Sequence, residues 1–246
     1  MSHLVLRGDD NHRVAVEVRR GPERFHTVLP WLDSWHSFSF GEHRDPSNVG
    51  HGLLIVNNDD TIRGGGGFGE HGHRDMEIVT WVLDGALEHR DSTGTHDVIV
   101  PGLAQRMSAG RGIRHSEMNA SATDPVHLIQ MWVLPDTQGI DPSYEQRNIS
   151  DALASGTLVP IASGRGDDGA VSLRQRDAVL WAGRLAPGVT AGVPDAPHVH
   201  LFVARGDIEL DDVGALTAGE AGRLTDAGAL EIRAATDAEV LVWETA

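Results

Sequence analysis

Short runs of β-branched and large apolar residues, each closed by turn formers, recur along most of the chain. They fall at 52–57, 78–83, 98–100 and 127–134, and again at 179–183, 201–204, 230–233 and 240–243. Asp-Gly, Thr-Gly and Pro-Gly steps punctuate them. Regularly spaced short strands with turns between them predict an all-β sandwich or barrel. Helical periodicity is scarce, and only 151–158 suits a short helix or an irregular link. The stretch 135–142, with Pro135, Gly139 and Pro142, is rich in turn formers and predicts a domain connection. The expected organisation is two β domains in tandem, 1–140 and 141–246.

The two halves resemble each other, as an internal repeat would. The segment 81–88 (Trp-Val-Leu-Asp-Gly-Ala-Leu-Glu) matches 202–209 (Phe-Val-Ala-Arg-Gly-Asp-Ile-Glu) in pattern: an apolar strand, a charged residue, a turn glycine and a returning strand. Pro101-Gly102 has a counterpart in Ala218-Gly219. With Gly85 laid on Gly206, His71 and His73 fall on Gly192 and Pro194; with Gly102 laid on Gly219, His115 falls on Ile232. The second half is expected to keep the scaffold without the chemistry, which leaves His198 and His200 as structural or surface residues.

The chemistry concentrates in the first half, where 12 of the 14 histidines lie. His71-Gly72-His73 and His115-Ser116-Glu117 are two pairs at spacing two. Residues two apart in a strand point to one face, so each pair offers two donor atoms from a short piece of strand. Two such strands laid together give three imidazoles and a carboxylate around one point, a set that suits a divalent transition metal. An ion preferring six ligands would keep two positions for water, substrate or dioxygen. Glu77 also lies near, and spacing alone does not choose between it and Glu117. The chain has no cysteine, so thiolate ligands, cysteine nucleophiles and disulfides are excluded.

Composition narrows the partners. Of 246 residues, 40% are hydrophobic, enough for a packed core in each half. The formal charge of −16 disfavours direct contact with nucleic-acid phosphates. No apolar leader opens the sequence and no run of eighteen apolar residues occurs, so the expectation is a cytoplasmic protein with no membrane segment. Two domains able to cover each other's faces suit a monomer. The glycines at 64–67 lack a following Gly-Lys-Ser/Thr and are expected to turn the backbone into the ligand strand. Trp81, Met131 and Trp132 are expected in the core, Met107 and Gln130 near the cavity, and Glu88-His89-Arg90-Asp91 at a solvated strand end.

The spacing Gly65, five residues, His71-Gly72-His73, three residues, Glu77, then Gly85 resembles the first cupin motif, with the last gap one residue longer. The second motif, Pro101-Gly102 followed by His115, is stretched by twelve intervening residues. That stretched form resembles the pirin family in particular. So do the run from His71 to Asn119, the segment 31–40 and the segment 142–147. Gly72, Asp75 and Met76 depart from the vertebrate form of the motif, not from its histidines. The resemblance is closest to bacterial pirin-like quercetin 2,3-dioxygenases.

It implies a bicupin, two antiparallel jelly-roll barrels, with one divalent metal in the first alone. His71, His73, His115 and Glu117 are then the ligands. Glu77 shares strand parity with His73 and is expected to orient a histidine from behind. Iron(II) is the first choice, and manganese, nickel, cobalt, copper and zinc tolerate the same set. The implied reaction is insertion of dioxygen into a flavonol such as quercetin, opening the heterocycle and releasing carbon monoxide. Glu117 beside the metal could also receive the flavonol proton. Some pirins instead resemble regulatory proteins whose metal or redox state controls a protein partner.

Overall fold

The computed structural model describes residues 3–7 and 14–246, and the chain is almost wholly β. It begins with the antiparallel pair β1 (His3–Arg7) and β2 (Val14–Arg19). It continues through β3 (Phe25–Leu29), β4 (Leu32–His36), β5 (Leu54–Ile62), β6 (Gly67–His73), β7 (Glu77–Asp84) and β8 (Leu87–Asp91). Next come β9 (His96–Ile99), β10 (Leu103–Ser108), β11 (Ile113–Asn119), β12 (Val126–Val133) and β13 (Ser143–Asn148). After one helical turn, α1 (Ser150–Leu153), follow β14 (Val159–Ser163), β15 (Val171–Ser172), β16 (Ala178–Leu185) and β17 (Thr190–Val193). The chain closes with β18 (His198–Arg205), β19 (Asp207–Leu210), β20 (Gly214–Thr217), β21 (Ala221–Thr225), β22 (Leu230–Ala234) and β23 (Ala238–Thr245).

These strands form two sandwiches rather than two closed barrels. The first sets a large sheet, β13-β10-β7-β12-β5-β4-β3, against a small one, β6-β11-β8-β9. The second sets β1-β2-β21-β18-β23-β16-β14-β15 against β17-β22-β19-β20. The two large sheets pack on each other, giving four layers. Val79, Trp81 and Leu83 of β7 join Leu180, Phe202, Leu241 and Trp243 in this central core. The alternate β7 residues Ile78 and Val82 face their own small sheet. A strand buried on both faces reads as one apolar run, which is why 78–83 shows no alternation.

The expected division at residue 140 does not coincide with the sheets. β2 pairs with β21, so the start of the chain completes the second large sheet. β13 pairs with β10, so the chain returns to the first sheet after the turn-rich connection. A turn-forming segment marks where a chain bends, whereas sheet membership follows from which edge has open backbone donors and acceptors. The helical link contributes one side chain to the central core, Leu153.

The repeat holds, with a one-residue correction. His71 stands opposite His115 and His73 opposite Ile113 in the first sandwich. In the second, Ala191 stands opposite Ile232 and Val193 opposite Leu230. The counterparts of His71 and His73 are therefore Ala191 and Val193, not Gly192 and Pro194. The loop from β17 to β18 has one residue more than that from β6 to β7, so counting back from the turn glycine stops one residue short. Ala191, Val193, Ile232 and Ala234 all lie in the apolar core of the second sandwich.

Candidate metal centre

The interior of the first sandwich is apolar at its two ends and polar between them. Leu32, Ile62, Val82, Leu87, Ile99, Val126 and Leu128 pack one end, and Ile78, Met107, Ala109 and Ile113 the other. Between them β6 and β11 carry the two pairs. Their closeness depends on Gly67, where an added Cβ would stand 2.6 Å from the Glu117 carbonyl oxygen. The turn into the strand expected of the glycine run falls just before it, at Gly65 with φ 72°. The pairing shifts register between His115 and Glu117, which sets Glu117 opposite Phe68. The His115 and Glu117 side chains are both buried.

Three imidazoles meet here. The His71 ring lies 4.8 Å from that of His73 and 4.4 Å from that of His115, with His73 and His115 5.0 Å apart. One ring nitrogen from each lies within 4.8 Å of the others. His71 donates from Nδ1 to the Gly69 carbonyl at 2.8 Å, which leaves Nε2 as its free lone pair. His115 is buried with neither ring nitrogen hydrogen-bonded. Burial and the neighbouring imidazoles hold His73 down to about 4 and His115 down to about 3. Both are neutral near pH 7, the form that binds metal.

Glu117 joins a second grouping, with His115 and His89, on the same 4.8 Å measure. Its carboxylate accepts from Gln130 Nε2 at 2.8 Å, and Gln130 Oε1 accepts from Trp132 Nε1 at 3.1 Å. His115 therefore links the imidazole trio to the carboxylate. His89 is the residue that sequence reasoning missed. It is fully buried, and its Nε2 bonds the Asp91 carboxylate at 3.1 Å while Nδ1 has no partner. Its ring lies 5.2 Å from that of His115. Only Glu88 and Arg90, paired with each other at the surface, fit the expected solvated strand end. The alternation Leu87-x-His89 was the available signal, since it puts the histidine on the face of a buried leucine.

Glu77 belongs elsewhere. Its buried carboxylate accepts from Ser108 Oγ at 2.8 Å and from the Arg174 backbone N–H at 3.1 Å, on the side of the second sandwich. Burial raises its pKa, partly offset by these bonds. Strand parity with His73 fails because the loop 74–76, with Asp75 at φ 48°, intervenes. Trp81 and Met131 lie in the central core as expected. Trp132 instead borders a cavity, its ring 4.9 Å from that of His73.

That cavity has a volume of about 620 Å³. Phe40, Phe68, Trp132, Leu29 and Leu32 give it apolar walls, and His71 and His73 also line it. Gln130 reaches it, as expected, while Met107 is packed in the apolar end. Opposite the imidazoles lies a polar wall that includes Ser34, His36, Asn58 and Asp60. Leaving a buried polar group unpaired costs about 1–3 kcal/mol. Both nitrogens of His115 and one of His89 are in that condition. A cation accepting imidazole lone pairs would answer it, so the donor set fits a divalent transition metal.

Two stacked β-sandwiches related as a repeat, with candidate metal-binding groups, among the described residues, in the first only, define a bicupin with a candidate metal centre. Residues 16–133 match the Pirin family, and 160–245 match the quercetinase C-terminal cupin domain. The chain belongs to the pirin family. It is 40% identical over 230 residues to the quercetin 2,3-dioxygenase of Escherichia coli K12, covering 93% of this chain and 98% of that one. It is 56% identical over 230 residues to a Mycobacterium tuberculosis H37Rv protein whose name gives quercetin 2,3-dioxygenase provisionally, covering 93% and 94%. The crystal structure of the bacterial pirin YhhW of Escherichia coli in complex with nickel(II) superposes with a TM-score of 0.86 at 36% identity, over 94% of this chain and 98% of that one. Among the described residues, no helix is long and apolar enough to cross a membrane.

Proposed function

We propose that the chain is a metal-dependent dioxygenase that opens the heterocycle of flavonols such as quercetin. One divalent metal is held by His71, His73, His115 and Glu117. The observation that carries this reading is a cluster of three imidazoles, one buried with both nitrogens unpartnered and the other two lining an aromatic-walled cavity. The names of relatives at 40% identity and above support it. The cavity volume falls in the range of about 300–1,000 Å³ common for small-molecule sites.

When bound, the metal supplies Lewis acidity toward a substrate hydroxyl. The chain's own residues supply the rest. Phe40, Phe68 and Trp132 offer flat apolar faces that receive a planar ring system and displace water. The Gly69 carbonyl fixes the tautomer of His71, and Gln130 fixes one oxygen of Glu117. Dioxygen is the co-substrate, and iron(II) and nickel(II) are the first ions to load.

Metal analysis joined to oxygen uptake tests the reading. Protein loaded with one of these ions is expected to hold about one ion per chain, as one four-ligand site requires. It is expected to consume dioxygen in step with quercetin. His115→Ala is expected to lose both the ion and the uptake. Uptake by wild type no faster than that of the free ion would overturn the assignment.

A further inference from the structure

Asp60 is a buried carboxylate without a cation. It sits on β5, where it pairs across the sheet with Ser34 of β4 and Leu128 of β12. Asn58, on the same face, pairs with His36 and with Gln130. Asp60 is 2% exposed yet lines the cavity on the wall opposite the imidazoles. Its one hydrogen bond among the described residues is accepted from Ser34 Oγ. Its chain neighbour Asp59 takes the two nearby basic side chains, pairing with Arg24 and His127. A carboxylate buried with one hydroxyl donor and no counter-charge is costly as an anion and gains nothing for the fold. Such a group is better explained by a ligand than by packing.

Glu117, the carboxylate the sequence suggests for the substrate proton, is worse placed for it. It already accepts from Gln130 and does not border the cavity. We propose that Asp60 takes the hydroxyl proton of the bound aromatic substrate, with Ser34 holding the receiving carboxylate in place. The substrate O–H bond breaks, its proton forms a new O–H on the Asp60 carboxylate, and the electron pair stays on the substrate as an oxyanion, the species that reacts with dioxygen. This inference rests on the flavonol reading above. Burial supports it, lifting the carboxyl to about 7, so both protonation states are accessible near neutrality. The charges that bear on it are Asp59 and Glu117, which raise it further, and His127, which lowers it. His36 stands on the neighbouring strand.

The flavonol oxyanion absorbs at longer wavelength than the neutral form, so the transfer can be read without turnover. Under nitrogen at pH 7, metal-loaded wild type is expected to bind quercetin with the red-shifted spectrum. Asp60→Asn is expected to keep its metal and bind quercetin unshifted, with kcat in air lower by about 100-fold or more. Ser34→Ala removes a bond that lowers the Asp60 pKa, so the acid limb of kcat/KM is expected to move to higher pH. A red-shifted spectrum and full turnover in Asp60→Asn would overturn the proposal. So would an unmoved acid limb in Ser34→Ala, even were the first variant to misfold. Failure of wild type to bind quercetin in any form would sink the flavonol reading itself, and this proposal with it.

Discussion

At the scale of single residues, the centre sets two imidazoles kept neutral by burial, His73 and His115, beside carboxylates held in place. His115 lies at its middle because it belongs to both groupings, with His71 and His73 and with His89 and Glu117. His89 is tied to Asp91, and its ring packs beside that of His115. A buried imidazole fixed by a carboxylate behind metal ligands typically supports affinity by about 10–100-fold. His89→Ala is therefore expected to weaken metal binding by about that factor, read by competition with a chromophoric chelator. Equal affinity in the variant would reduce His89 to packing. The two pairs at spacing two were legible in the sequence because each is local to one strand. His89 was legible only through its shared face with Leu87, and Asp60 not at all, since its burial comes from strands distant in the chain.

At the scale of elements, the centre is made by the approach of β6 to β11. Their pairing brings His71 opposite His115, and the shift beyond His115 turns Glu117 toward Phe68. Gly67 permits that approach, because any Cβ would press on the Glu117 carbonyl. Gly67→Ala is expected to push the strands apart, costing about 1–3 kcal/mol of stability and weakening metal binding. Denaturant midpoints and metal titration would check both, and an unchanged midpoint would mean the strands yield without loss. The second sandwich repeats the elements with Ala191, Val193, Ile232 and Ala234 where the first has His71, His73, His115 and Glu117. That contrast was readable from the aligned turn glycines. Its register was off by one because loop lengths between equivalent strands differ.

At the scale of the whole molecule, the two large sheets bury a shared core that holds titratable groups. His200 is fully buried beside Phe38 and Phe202, its ring nitrogens unpartnered, and burial keeps it well below its ordinary value. Burial likewise holds His51 down to about 4. Both are neutral in the fold but gain a proton on unfolding below about pH 6.5. The unfolded state then binds more protons, so their contribution to stability falls as pH drops from about 7 toward 4. Asp60 and Glu77, with raised values, act in the opposite sense. The difference between variants therefore isolates the histidine. His200→Phe is expected to lose less stability than wild type between pH 7 and pH 5, measured by urea unfolding at each pH. Equal losses would show that His200 can accept a proton in place.

The sequence by itself determined the β class, the repeat, the absence of thiol chemistry and the two donor pairs. All of these are written in local alternation, turn residues and composition. Only the tertiary structure decided that β1 and β2 complete the second large sheet while β13 stays with the first, because sheet edges are filled by whichever strand reaches them. It also turned Glu77 toward the second sandwich, and placed His89 behind the imidazoles and Asp60 across the cavity from them. Those are consequences of which faces meet, and a chain read residue by residue does not carry that information.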